Sequence, residues 1–174
     1  MTENRDTVLH ILTAESPDLD VILPGLVSFS NGIYSADPTS KYASIDYWKQ
    51  RLSHPASVII YLTAAHTDDP EESITPIGFL FAHPRSHTPP LPVSGQTETL
   101  HIWLAAVSPK WRRAGCLEKM VNAIPSGGFG VMSVCTHPER FPNMWKWVRG
   151  RGWQVEQELE EGKICLSKPV TPTA

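Results

Sequence analysis

Four cations, Lys110, Arg112, Arg113 and Lys119, surround Gly115 with one acid, Glu118, among them. They give this short stretch a local charge of about +3 in a chain whose formal net charge is −3. An apolar run, Leu100–Val107, and then Pro109 lead into them, and a helical pattern opens behind them. Strand, basic turn and helix form a physical recipe for holding phosphate. The first N–H groups of a helix lack internal partners, and the helix dipole puts partial positive charge at that end. The amides of Arg113, Gly115 and Cys116 are the candidate donors. The alternative is a plain helix start with solvated basic residues.

The apolar run also carries groups suited to moving a proton. An unperturbed imidazole titrates near pH ~6.5, so His101 is the first candidate for a base acting near neutrality, and Glu98 is the second. Strand alternation puts Leu100, Ile102 and Leu104 on one face and Thr99, His101 and Trp103 on the other, with Glu98 opposite His101. The small side chains of Ala105 and Ala106 either admit a ligand close to the backbone or pack beneath a helix.

The elements that must position these groups are readable from pattern. Thr7–Thr13 is a strand, and a helix follows from Ser16-Pro17-Asp18, with Leu19, Ile22, Leu23 and Leu26 at helical spacing and Pro24 expected to shorten or kink it. Ser28–Ser40, with Asn31-Gly32 and Asp37-Pro38, reads as a loop. Ser44 caps a short helix over Ile45–Leu52. Val58–Thr63 and Ile77–Ala82 read as strands joined by a solvated loop, His66–Thr75. Pro84–Gln96 is a proline-rich connection, and Thr99–Val107 completes an antiparallel meander. A helix over Arg112–Ile124, a buried strand Gly130–Cys135, a helix Phe141–Arg149 and a hairpin of Trp153–Leu159 with Lys163–Lys168 follow. The strand–helix–strand step around the basic turn makes those two strands parallel. The expected fold is α/β with a mixed sheet of about seven strands and four helices.

The totals bound the possibilities. A chain of 174 residues with 41% hydrophobic and 19% charged residues fits one domain, residues 1–174, with a real core. A net charge of −3 argues against general nucleic-acid binding. Cys116, Cys135 and Cys165 are too scattered for a disulfide framework or a zinc site, no metal ligand set is visible, and a reducing, cytoplasmic setting is expected. The N-terminal MTENRDTVLHIL has no long apolar core, and no segment approaches the ~20 apolar residues of a membrane span. A homodimer is one assembly the sequence leaves open.

Element order and turn together resemble the GCN5-related N-acetyltransferase (GNAT) superfamily. The family's pattern runs Val-x-Pro-x-x-Arg, two residues, Gly, one residue, then Gly or Ala. Val107, Pro109, Arg112 and Gly115 match it, and Leu117 stands where the family has a small residue. The later Gly152-Trp153 follows the family's Gly-aromatic pair.

The resemblance implies an acetyl-CoA-dependent N-acetyltransferase, with direct attack of an amine on the thioester in a ternary complex. The alternative is a non-catalytic acyl-CoA-binding module. It implies a coenzyme cradle of Arg112, Arg113, Ala114, Gly115, Cys116 and Leu117, backbone contacts from Ala105, Ala106 and Val107 on splayed parallel strands, and a contact from Asn143. His101 takes the position of the family's base, with Glu98 as its substitute. The family's Tyr acid falls at Val148, which leaves Cys135, His137, Tyr34 and Tyr42 as weaker candidates. Phe29, Tyr34, Trp48 and Trp103 are expected to line the acceptor pocket, and Asp37, Asp46 or Glu98 to hold a cationic amine of a small molecule. Trp145, Trp147 and Trp153 are expected to pack together, and Lys146, Arg149 and Arg151 are candidates for the ribose phosphate.

Overall fold

The computed structural model describes residues 5–34 and 44–170. Asp37, Asp37-Pro38 and Tyr42 lie outside the described residues. Seven strands form one sheet in the order β1-β2-β3-β4-β5-β7-β6. They are β1 Thr7–Leu12, β2 Val58–Ala64, β3 Gly78–Ser86, β4 Glu98–Val107, β5 Val131–Thr136, β6 Gln154–Glu158 and β7 Ile164–Pro169. The helices are α1 Leu19–Ile33, α2 Ile45–Leu52, α3 Pro70–Ile74, α4 Cys116–Asn122 and α5 Pro142–Arg149. The chain packs as two compact units. One runs from the N-terminal part to Phe81 and adds Leu104–Ile124; the other joins Ala82–Trp103 to the part after Pro125.

In the first unit, β2 is buried along almost its whole length, as its unbroken run of apolar residues requires. β1 pairs with it antiparallel, from Thr7↔Ala64 to Leu12↔Ile59. Trp48 of α2 is fully buried, with its ring 5.4 Å from both Phe79 and Phe81. Helix α1 runs through Pro24 to Ile33, so Ser28–Ile33, expected as the start of a loop, is helical, Asn31-Gly32 included. An interior proline costs a helix about 3 kcal/mol. Burial of Leu23, Leu26 and Val27 on one face, at roughly 1.5–3 kcal/mol each, offsets that cost. Neither α1 nor α2 has a side-chain N-cap bond, so the expected Ser44 cap is not made; Ser16 Oγ instead accepts from the Thr13 amide at 2.9 Å.

Two expectations near the loops are corrected. The solvated stretch His66–Thr75 contains α3, which makes five helices among the described residues where four were expected; Asp69 caps it by accepting from the Glu71 amide at 2.9 Å, and Pro70 opens its first turn. The helix expected over Arg112–Ile124 is shorter. Pro109–Trp111 form a 3-10 turn, and Arg113 (φ 66°) and Gly115 (φ 75°) are left-handed, so α-helix begins only at Cys116. Its buried face is Cys116, Met120 and Val121, while Ala114 precedes the helix and Leu117 is half-buried.

β3 runs four residues past the expected end at Ala82, to Ser86. Gly78 lies against Ala106, and His87 bonds Thr99, so β3 and β4 run in opposite directions. In the second unit β4 and β5 are parallel, with register from Leu100↔Met132 to Ile102↔Val134, and β4 itself continues to Val107. β5 and β7 pair antiparallel. β6 pairs with β7 through a bulge that leaves Glu156 without an opposite residue.

Candidate functional site

The first unit builds the basic turn. β4 ends at Val107, and the Ser108 amide bonds Ile77 O at 2.7 Å, fixing where the chain leaves the sheet. Arg112 Nε donates to Val107 O at 3.3 Å, folding the turn back on the strand. The left-handed residues Arg113 and Gly115 then reverse the chain so that successive amides precede α4. Arg112–Gly115 form a turn in which, among the described residues, the amides of Arg113, Ala114, Gly115, Cys116 and Leu117 make no well-formed backbone hydrogen bond to another residue, while the Lys119 amide bonds Gly115 O at 3.0 Å. A cavity of about 360 Å³ lies beside this turn, lined by Arg5, Thr7, His66, Ala114, Cys116 and Lys119, among others. Lys119 Nζ is held there by Thr7 O and Oγ1 at 2.9 and 2.7 Å, and Arg5 donates to Lys110 O at 2.9 Å. Burial raises the Cys116 thiol above its usual range, so it sits there as a neutral group.

The same unit holds three of the expected acceptor residues. Tyr34, at the end of α1, donates its hydroxyl to Ala105 O at 2.6 Å and so reaches β4 at the small alanines. Phe29 lines a shallow depression of about 570 Å³ with Gly25, Gly32, Ile33 and Ile74. Trp48 is corrected: its indole is fully buried in the core against Phe79 and Phe81 and is closed to an acceptor.

The second unit holds a polar network. His101 is 5% exposed, with Nδ1 2.8 Å from Ser133 Oγ and Nε2 3.2 Å from Arg85 Nη1. A guanidinium only donates, so Nε2 accepts and the ring proton is on Nδ1. Burial pushes the His101 pKa well below the usual histidine range, and the charges of Arg85, His83, His87 and Lys163 push it the same way. His101 is therefore neutral with both nitrogens engaged, whereas the sequence led to a partly open strand base. The network runs on: Ser133 Oγ meets Thr99 Oγ1 at 2.6 Å, and Thr99 Oγ1 meets His87 Nε2 at 2.8 Å. Arg85 also approaches Cys135 Sγ at 3.7 Å. Glu98 begins β4 exposed, and Trp103 is half-buried with its ring 6.4 Å from that of His83.

Glu156, inward at the β6 bulge and 5% exposed, accepts from the amides of Val93 and Ser94 and from Ser167 Oγ. Burial pushes its carboxyl up, but these hydrogen bonds outweigh it and the net shift is down. It ties the proline-rich connection to the sheet. Asn143 is exposed in the first turn of α5, and Val148 is fully buried, so the family's acid position carries a core side chain. Trp153 is buried, whereas Trp145 and Trp147 are half-buried beneath Arg149 and Arg151 at 5.6 and 4.7 Å. His137 bonds Glu161 O through Nε2.

Arg85, His87, Ser133 and Glu156 were missed from sequence. His83, Arg85 and His87 alternate as one strand face would, and this was the available signal; Pro84 masked it by reading as the start of a loop.

The fold is that of the GCN5-related N-acetyltransferases. Arabidopsis thaliana NAA60 in complex with acetyl-CoA superposes with a TM-score of 0.62 at 12% identity, covering 95% of this chain and 99% of that one. The NatC complex bound to Gag peptide and CoA gives a TM-score of 0.65 at 16% identity, over 95% and 99%. The aminoglycoside N-acetyltransferase AAC(6')-Iy with CoA gives 0.65 at 14%, over 89% and 92%. No protein-family model matches the chain, and neither does any curated protein. No helix among the described residues is long and apolar enough to cross a membrane.

Proposed function

We propose that the chain works as one domain and is an acetyl-CoA-dependent N-acetyltransferase acting on the amine of a small molecule. The observation that carries this reading is the run of uncommitted amides from Arg113 to Leu117 beside the 360 Å³ cavity, in a stretch of net positive charge. Its support is the fold shared with proteins crystallised with acetyl-CoA or CoA. In this reading those amides hold the coenzyme diphosphate, with the Arg112 and Arg113 side chains adding charge. The backbone of Ala105, Ala106 and Val107 orients the pantetheine arm, and an N–H there polarises the thioester carbonyl. Asn143 is a further contact to the coenzyme.

The amine nitrogen attacks the thioester carbon, the C–S bond breaks, and CoA leaves as the thiolate. Proton removal falls to Glu98, directly or through water, because its carboxylate is exposed while His101 has both nitrogens engaged. Tyr34, whose hydroxyl reaches Ala105 O, is the candidate we assign to protonating the thiolate. Phe29 and Trp103 are assigned to the acceptor side. Small-molecule amines are favoured over peptides on the enclosing proline-rich connection, and the solved relatives named above include one bound to a peptide and one named for aminoglycosides.

A second reading is a non-catalytic acyl-CoA-binding module. The buried Val148 and the engaged His101 favour it. Thiol release from acetyl-CoA across a panel of small amines and short peptides, run with CoA-binding calorimetry, separates the two. Binding with amine-dependent thiol release supports the transferase, and a preference for peptides would overturn the small-molecule assignment. Binding without release leaves the module, and absence of binding overturns both. Glu98→Gln is expected to lower turnover at least tenfold without altering CoA affinity.

A further inference from the structure

β5 and β7 place two of the three cysteines opposite each other, Cys135↔Cys165, in antiparallel register. We propose that this pair is a cross-strand dithiol that a peroxide oxidises to a disulfide, with Cys135 as the attacking thiol and Cys165 as the resolving one. Directly opposed residues in antiparallel strands have Cα atoms ~4.5–5.5 Å apart, within the ~4.4–6.8 Å that a disulfide spans. Residues paired in this way project to the same face, and the two thiols lie within hydrogen-bond reach of each other.

The two thiols differ in access and charge. Cys135 is half-buried, while Cys165 is 2% exposed. Arg85 Nη1 lies 3.7 Å from Cys135 Sγ, and Arg85 and Lys163 both place positive charge near the pair. His83 of β3, His87 just beyond its end and His101 of β4 are the other titratable groups near this guanidinium, and Glu156 of β6 is the nearby acid. Donation from the Cys165 thiol, aided by Arg85 and Lys163, holds Cys135 down to about 6, while sharing that proton and burial raise Cys165. Cys116 is buried, and its thiol is raised.

The chemistry balances with hydrogen peroxide. The Cys135 thiolate attacks one peroxide oxygen, the O–O bond breaks, and the departing hydroxide takes a proton and leaves as water. Cys135 is then a sulfenic acid. The Cys165 sulfur attacks Cys135 Sγ, the S–O bond breaks, and the hydroxide released takes the Cys165 proton as a second water. The pair loses two electrons and the peroxide gains them. This inference is independent of acyl transfer.

The test uses the whole, reduced protein and stoichiometric hydrogen peroxide, read by intact mass and peptide mapping. The expected product has lost two hydrogen atoms and carries a Cys135–Cys165 linkage that dithiothreitol reverses. In Cys165→Ser, judged folded by its circular dichroism, Cys135 should be captured by a dimedone probe as the sulfenic acid. Arg85→Gln should slow alkylation of Cys135 by iodoacetamide several-fold while leaving that of Cys116 unchanged. The proposal is overturned if Cys116 reacts first, if Cys135 passes to sulfinic acid without linking to Cys165, or if the linkage forms only between molecules.

Discussion

In the turn from Arg113 to Leu117, backbone amides are held in place without a well-formed backbone hydrogen bond to another residue. On the sheet face around Ser133, hydroxyl and imidazole groups are held equally firmly and joined to one another. Both regions contain a sequence-derived site residue, Gly115 in one and His101 in the other, so residue type did not separate them. Their hydrogen bonds do. A set of donors left open is a place where a ligand gains free energy on arrival. A set already paired and buried can only lose by being disturbed. The comparison favours the turn as the binding element of the proposed function and the network as a source of conformational order.

The largest expected effect comes from altering the turn backbone. Gly115 has φ 75°, and an added Cβ meets nothing within 4 Å, so strain rather than collision opposes substitution. In Gly115→Val the cost is on the order of 3 kcal/mol, enough to weaken CoA binding roughly 100-fold if the turn is the cradle. Calorimetry that finds CoA affinity intact would break the comparison at its binding end. Ser133→Ala is the opposite case. It strips a partner from both Thr99 and His101, at about 2 kcal/mol, which corresponds to a melting point lower by roughly 4–8 °C. CoA affinity should stay within about twofold of the parent protein.

A smaller effect sharpens the network side. Glu156 has a folded pKa below its unfolded one, so its contribution to stability is complete above the unfolded carboxyl range, near pH ~4.3, and is lost as the pH falls through the folded value. Glu156→Gln should be less stable than the parent protein by about 1 kcal/mol at pH 7, and the two should converge once the pH has fallen below the folded value. Denaturant titrations across that range measure the gap, and a gap that stays constant with pH would contradict the assignment. The smallest change is expected from Arg113→Ala. Its exposed side chain adds long-range charge only, so CoA binding should weaken roughly two- to threefold at low ionic strength and match the parent protein at ~1 M salt.

What could be read in advance follows the range of each interaction. The seven strands along the chain and the parallel step were legible because apolar runs and the Val107–Gly115 pattern are local. Helix α1 was cut short on paper because Pro24 and Asn31-Gly32 are strong local signals, whereas the burial of Leu26, Val27 and Ser30 that overrides them is a tertiary fact. His101 was picked out for its type. Its partners, Arg85 and Ser133, come from sixteen and thirty-two positions away, and no local rule pairs them. Trp48 was taken for a pocket wall on the same ground, since an aromatic residue in a short amphipathic helix reads alike whether it faces a ligand or Phe79 and Phe81.

The bulge in β6 has a consequence for how the gene can change. Side chains on a strand swap faces with every residue gained or lost. Glu156 is the one residue of β6 that pairs with nothing on β7, so its removal would restore an unbroken ladder from Val155 to Gln157. A one-codon deletion there would look harmless by sheet pairing, on an edge strand whose other residues are exposed. It would release Val93, Ser94 and Ser167 from their shared carboxylate. Length at this edge is therefore constrained by a loop more than sixty positions upstream, and the tolerance to insertion and deletion usual at a sheet margin should fail at this position.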